Sequence, residues 1–329
     1  MKSISENTID KKIYIIDIIK AAATVMIFCY HCNSLLPGEW KFITIFGDSL
    51  GNDLFFMISG FALFPSIMKT KSQDFPLWYG RRLKRIMPLL LLFYLLSYLT
   101  GFYTLEVKNL FTIFIYPSLY WFVTGILIFY ILAFLFLKIL PFIAIPLISG
   151  ICFILWIIRP GTMEAYYFLG FSAMLIGMII RKLLSEISSS DEGAALLVST
   201  AELITGIILF LYINIRLNEG ILTDPVIRTF FGISVILTGA GGIVLGYLNN
   251  DVLKSFFAAN PLSYRVAAFT GNLALPLYMV QCFNAGMIGY TIGQRIVFPL
   301  SFALNLIIVV GAASLLEILR TSKLFRFKA

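Results

Sequence analysis

Charge is scarce in this chain, and histidine is all but missing. Only 13% of the 329 residues are Asp, Glu, Lys or Arg, acidic side chains number 17, and His31 is the sole histidine. A chain so poor in charge has too little polar surface for an ordinary water-soluble enzyme of this length, and that class is excluded. The four cysteines (Cys29, Cys32, Cys152, Cys282) fall within or at the ends of apolar stretches, so no disulfide framework is indicated. Cys29, His31 and Cys32 lie close together, but structural zinc wants four ligands and no second Cys/His cluster completes the set. No internal repeat or low-complexity segment is visible. The first apolar run is too long for a cleavable signal sequence, carries Asp17 and Lys20, and lacks a convincing small-residue cleavage site.

What is abundant is apolar: 60% of the residues are hydrophobic. This predicts an all-α, polytopic membrane helical bundle of about ten transmembrane helices, forming one integral-membrane domain over residues 1–329. The expected spans are roughly 13–36, 53–68, 86–104, 111–137, 141–158, 165–180, 194–214, 227–248, 271–292 and 296–318. The second is short, and the fourth is long enough to begin with an interfacial piece at Tyr116–Pro117. With the N-terminus cytoplasmic, eighteen of the 25 Lys and Arg fall on the cytoplasmic side and six on the other, with Lys20 inside the membrane. That asymmetry places both termini inside. The net charge of +8 then reflects loop topology and contact with anionic membrane lipid, and no nucleic-acid partner is expected.

Three constellations could carry chemistry. Lys20 and His31 are eleven residues apart, which puts them ~20° apart around a helix and ~16 Å along it. A charge in the membrane interior is costly and ordinarily faces a wet cavity or a partner. Lys20 therefore either pairs with Asp17 at i, i+3 or faces a cavity. His31 is either an interfacial side chain bonded to a loop or a proton carrier near neutral pH. The second constellation, Arg81-Arg82-Leu83-Lys84-Arg85, sets four cations at a membrane face, where they would meet lipid headgroups or the phosphates of a substrate. In the third, Gly51 to Phe61, Ser59 and Gly60 permit close helix approach. Asp53 lies at the mouth of the second span, on the side of His31. Glu202 is an intramembrane carboxylate with no sequence-local partner, and Gln281, Asn284 and Asn305 are expected to hydrogen-bond between helices.

These strings resemble the membrane-bound acyltransferase family three, whose members O-acylate sugars and cell-envelope polymers. In that family a basic residue precedes a histidine by eleven positions in the first span, as Lys20 precedes His31. Asp53-Leu54-Phe55-Phe56 through Ser59-Gly60-Phe61 resembles its Asp-Leu-Phe-Phe-x-x-Ser-Gly-Phe stretch. Arg82-Leu83-Lys84-Arg85 is similar to its Arg-x-x-Arg element, and Tyr120-Trp121-Phe122 with Tyr130 to its Trp-Phe signature. Leu275-Pro276-Leu277-Tyr278-Met279 matches loosely, and where many relatives carry a histidine soon after that tyrosine this chain has Gln281.

The resemblance implies an O-acyltransferase of the plasma (inner) membrane. No bound cofactor is implied; acyl-CoA, with acetyl-CoA foremost, is the donor, and a hydroxyl of a cell-surface polysaccharide or glycolipid is the acceptor. His31 would be the general base, with Lys20 and Asp53 completing the catalytic set. Arg81, Arg82, Lys84 and Arg85 would hold the coenzyme A phosphates, and Tyr120 and Trp121 would stack on a sugar ring. The competing reading is a transporter or flippase for a saccharide, lipid or small solute, with Lys20, Glu202 and His31 as a proton path. Transporter folds often repeat a broken helix in each half. No such symmetry is visible in the sequence.

Overall fold

A computed structural model of the protein describes residues 12–101, 120–159, 163–216, 224–284, 296 and 298–321. The expected interfacial piece at Tyr116–Pro117 lies outside them. Within the described residues there are twelve α-helices and no strand. These are α1 (Tyr14–His31), α2 (Asn52–Lys69), α3 (Phe75–Leu99), α4 (Trp121–Ile139), α5 (Ala144–Ile158), α6 (Met163–Leu184), α7 (Glu192–Arg216), α8 (Pro225–Leu248), α9 (Asn250–Ala259), α10 (Pro261–Asn272), α11 (Ala274–Asn284) and α12 (Leu300–Thr321).

Six of these are long and apolar enough to cross a membrane: α1, α4, α6, α7, α8 and α12. A seventh is made if α10 and α11, bent by 55° at their junction, count as one span. The expected count of about ten is not confirmed. The helices α2, α3 and α5 coincide with expected spans, but each is short of apolar length. Polar Asn52, Asp53 and Lys69 occupy the ends of α2, the first half of α3 carries four cations, and α5 has 15 residues. The ninth expected span, 271–292, is also corrected: the chain is already helical from Pro261 and breaks beside Gly271–Leu273.

Close helix approach organises the bundle around α2. A Cβ on Gly60 would collide with the Met174 carbonyl of α6, and a Cβ on Gly177 with the Met57 carbonyl of α2. Two helices can meet backbone to backbone only where both lack side chains, which is how small residues substitute for a hydrophobic driving force in lipid. Above this contact, Phe56 sits 4.6 Å from Phe122 and 5.0 Å from Phe129, ring centroid to centroid, tying α2 to α4.

The start of α1 is anchored from far along the chain. Asn250 accepts from the Tyr14 N–H (2.9 Å) and donates to the Lys12 carbonyl (3.0 Å). It thus meets one of the N–H groups that a helix start leaves without an intrahelical partner. At the other end, Cys32 accepts from Asn305 of α12 (3.2 Å), so Asn305 does bridge helices as expected. Asn284, for which the same was expected, has a side chain outside the described set.

Candidate active site

The pattern of α1 puts Lys20, Thr24 and Ile27 on one face, and that face lines a cavity of about 390 Å³. The volume falls in the range of small-molecule sites. The mouth is formed by Arg81, Arg82 and Arg85 of α3, and the walls by Phe55, Ser59 and Leu63 of α2 and Val123, Ile126 and Tyr130 of α4. The broken helix closes it, through Gly271 and Asn272 on one side of the bend and Leu275, Tyr278 and Gln281 on the other. Irregular backbone at membrane depth is tolerated where it lines a cavity, and this break does so.

Among the described residues, four of those lining the cavity are cations and none is a carboxylate. Asp17 accepts from Tyr264 Oη (3.0 Å) and lies 3.6 Å from Lys12 Nζ, so its charge is shared among these groups and Lys20 while Lys20 also lines the cavity. Gly271 lets α10 come against α1 at this height: a Cβ there would sit 3.2 Å from both the Asp17 carbonyl and Lys20 Cβ.

The three arginines are not equivalent. Arg82 donates to the Trp78 carbonyl (2.8 Å) and to Ser66 Oγ (3.0 Å), and its guanidinium lies 3.7 Å from the centroid of the Trp78 ring. Burial lowers its pKa from the ordinary guanidinium value, and the neighbouring Arg81 charge acts in the same direction. Two of its donors are thus committed to the protein and the side chain is half-buried, whereas Arg81 and Arg85 are exposed at the mouth. Lys84 is also exposed but does not line the cavity.

His31 is not among the lining residues. It lies one helical turn beyond Ile27, ~6 Å further along α1, with Nε2 3.9 Å from Cys282 Sγ. Cys282 follows Gln281 in sequence, so the histidine sits just past the inner end of the cavity, behind α11. Asp53 is buried in the first turn of α2, where a negative charge suits the helix N-terminus. Tyr120 is wholly buried against Phe93 and Tyr94, its hydroxyl 3.5 Å from Ser97 Oγ. Trp121 is half-buried against Tyr166 and Tyr167. Glu202 is half-buried on α7, outside the cavity lining.

A model of an acyltransferase domain matches residues 13–318, nearly the whole chain. The chain belongs to acyltransferase family 3. It is therefore a membrane acyltransferase, with an acyl donor and an acceptor as substrates. No curated protein and no solved structure matches it. In this acyltransferase Lys20, Arg81, Arg82, Arg85 and Tyr130 line one cavity, and His31, Lys84, Asp53, Tyr120, Trp121 and Glu202 do not. Two parts of the site were not foreseen. The α10–α11 break is one, although Gly271-Asn272 and Pro276 are a breaker pattern that could have marked it. The other is Gln281, expected as an interhelical hydrogen-bonder; its amide oxygen and nitrogen have no partner among the described residues, because α11 turns it to the cavity wall.

Proposed function

We propose that this protein moves an acyl group, acetyl foremost, from acyl-CoA to a hydroxyl of a cell-surface polysaccharide or glycolipid, with both chain termini and the arginine mouth on the cytoplasmic side of the plasma membrane. The observation that carries the donor reading is a cavity lined by Lys20, Arg81, Arg82 and Arg85, with no carboxylate lining it among the described residues, in a chain of this family. Such a lining favours an anionic ligand, and guanidinium groups match phosphate geometry.

Arg81 and Arg85 take the phosphates of the donor, Arg82 adds charge from its fixed seat, and Lys84 contributes field from outside the cavity. Lys20 is ~16 Å from His31 along α1. A thioester within reach of His31 thus lies beyond Lys20, whose task is to hold the polar arm of the donor rather than the reacting carbonyl. His31 takes the proton of the acceptor hydroxyl as its oxygen attacks the thioester carbonyl. The carbon–sulfur bond breaks, and the imidazolium returns the proton to the departing thiolate, restoring the neutral histidine. Asp53 holds the acceptor or the histidine at the outer end. Of the two aromatics assigned to the sugar, Tyr120 is wholly buried and Trp121 half-buried, so the stacking role falls to Trp121.

Purified protein in lipid nanodiscs, given labelled acetyl-CoA and a saccharide acceptor, is expected to release coenzyme A only when the acceptor is present and to place the label on the glycan. Release without acceptor and without labelled glycan contradicts the reading. The transporter reading predicts instead acceptor flux with no consumption of acyl-CoA.

A further inference from the structure

Gln281 is 2% exposed, lines the cavity, and leaves both its amide nitrogen and its amide oxygen without a partner among the described residues. A buried primary amide with neither atom bonded costs about 1–3 kcal/mol for each group left unmet, and an apolar residue would avoid that cost. The remaining surroundings are mostly apolar: Ile27, Phe122, Leu277 and the ring of Tyr278. Gln281 is also the polar lining residue next in sequence to Cys282, which touches His31.

We propose that Gln281 binds the acylated end of the donor's arm: Nε2 donates to the thioester carbonyl oxygen, and Oε1 accepts from the amide N–H that precedes the sulfur. The ligand class follows from the amide itself, which is satisfied only by a segment offering both an acceptor and a donor. Phosphates cannot supply the donor, and they are held at the other end of the cavity by the arginines. The inference rests on the acyl-CoA reading above and adds to it the residue that sets how far the thioester advances toward His31.

Binding to the full chain in nanodiscs is measured with two probes, acetyl-CoA and adenosine 3′,5′-bisphosphate, which keeps phosphates of the donor but has neither arm nor thioester. Gln281→Met, close in volume and without hydrogen-bonding groups, is expected to weaken acetyl-CoA about tenfold and to leave the bisphosphate unchanged. Its unliganded Tm is expected to match or exceed that of the wild type, since an unmet amide has been removed. Arg85→Ala weakens both probes. Equal acetyl-CoA affinity in Gln281→Met overturns the inference while leaving the donor reading intact. A fall in its unliganded Tm also overturns it, because the amide then has a partner in the folded protein. Failure of either probe to bind the wild type overturns the donor reading and this inference together.

Discussion

At the scale of single residues, the cavity separates cations that look alike in sequence. Arg85 is exposed and lines the cavity, while Lys84, its neighbour, is exposed and off the lining. Arg85→Ala is expected to raise the KM for acyl-CoA about tenfold or more, a loss of roughly 1.4 kcal/mol or more from one charged contact. Lys84→Ala changes it less than about twofold, as a screened surface charge does. Steady-state kinetics against acyl-CoA concentration distinguishes the two. Lys20 offers a second test. Asp17 is shared with Tyr264 and Lys12, and Lys20 lines the cavity. Lys20→Arg is expected to retain part of the transfer rate and Lys20→Leu to lose it; equal rates for wild type and Lys20→Leu would return Lys20 to a structural role. The sequence made the Lys20–His31 spacing legible because helical periodicity is fixed. It did not show that Arg82 is seated against Trp78 and Ser66, since that contact joins α2 and α3 through side chains with no sequence pattern of their own.

At the scale of elements, the broken α10–α11 pair decides where the cavity closes. Gly271 sits where a Cβ would touch the Asp17 carbonyl and Lys20 Cβ at 3.2 Å, so the branched side chain of Gly271→Val must push α10 off α1. That substitution is expected to cost about 1–3 kcal/mol of stability and to weaken coenzyme A binding, read by thermal unfolding and by titration of the same sample. The Asn250 anchor offers a gentler test: Asn250→Ala removes the acceptor at the start of α1 and should destabilise by about 1 kcal/mol without altering donor affinity. Helix existence was legible from apolar run length. The break was legible only in the Gly271-Asn272 and Pro276 breaker pattern and not in hydropathy, because the preceding segment from Pro261 is too polar to register as membrane on its own.

At the scale of the whole molecule, an all-helical membrane bundle follows from composition, but the count of spans does not. Among the described residues six helices, or seven with the bent pair, satisfy length and apolarity. Of the others, α2 begins with polar Asn52 and Asp53, the first half of α3 carries four cations, and α5 has 15 residues. A site built from charged groups at helix ends weakens the hydropathy signal of the helices that carry it. The account requires the arginine mouth and the His31 end to open on opposite membrane faces. Single cysteines introduced at Arg81 and at exposed Glu39 should react with a membrane-impermeant thiol reagent from opposite sides, the former only after the membrane is permeabilised. Labelling of both from outside would contradict that topology.

The most direct measurement is acyl transfer from labelled acetyl-CoA by purified wild type and His31→Ala, each shown to be folded and to bind coenzyme A with the same affinity. The account predicts a fall of about 10²–10⁴-fold in the transfer rate, the range supplied by a positioned general base. Undiminished transfer by His31→Ala would contradict it.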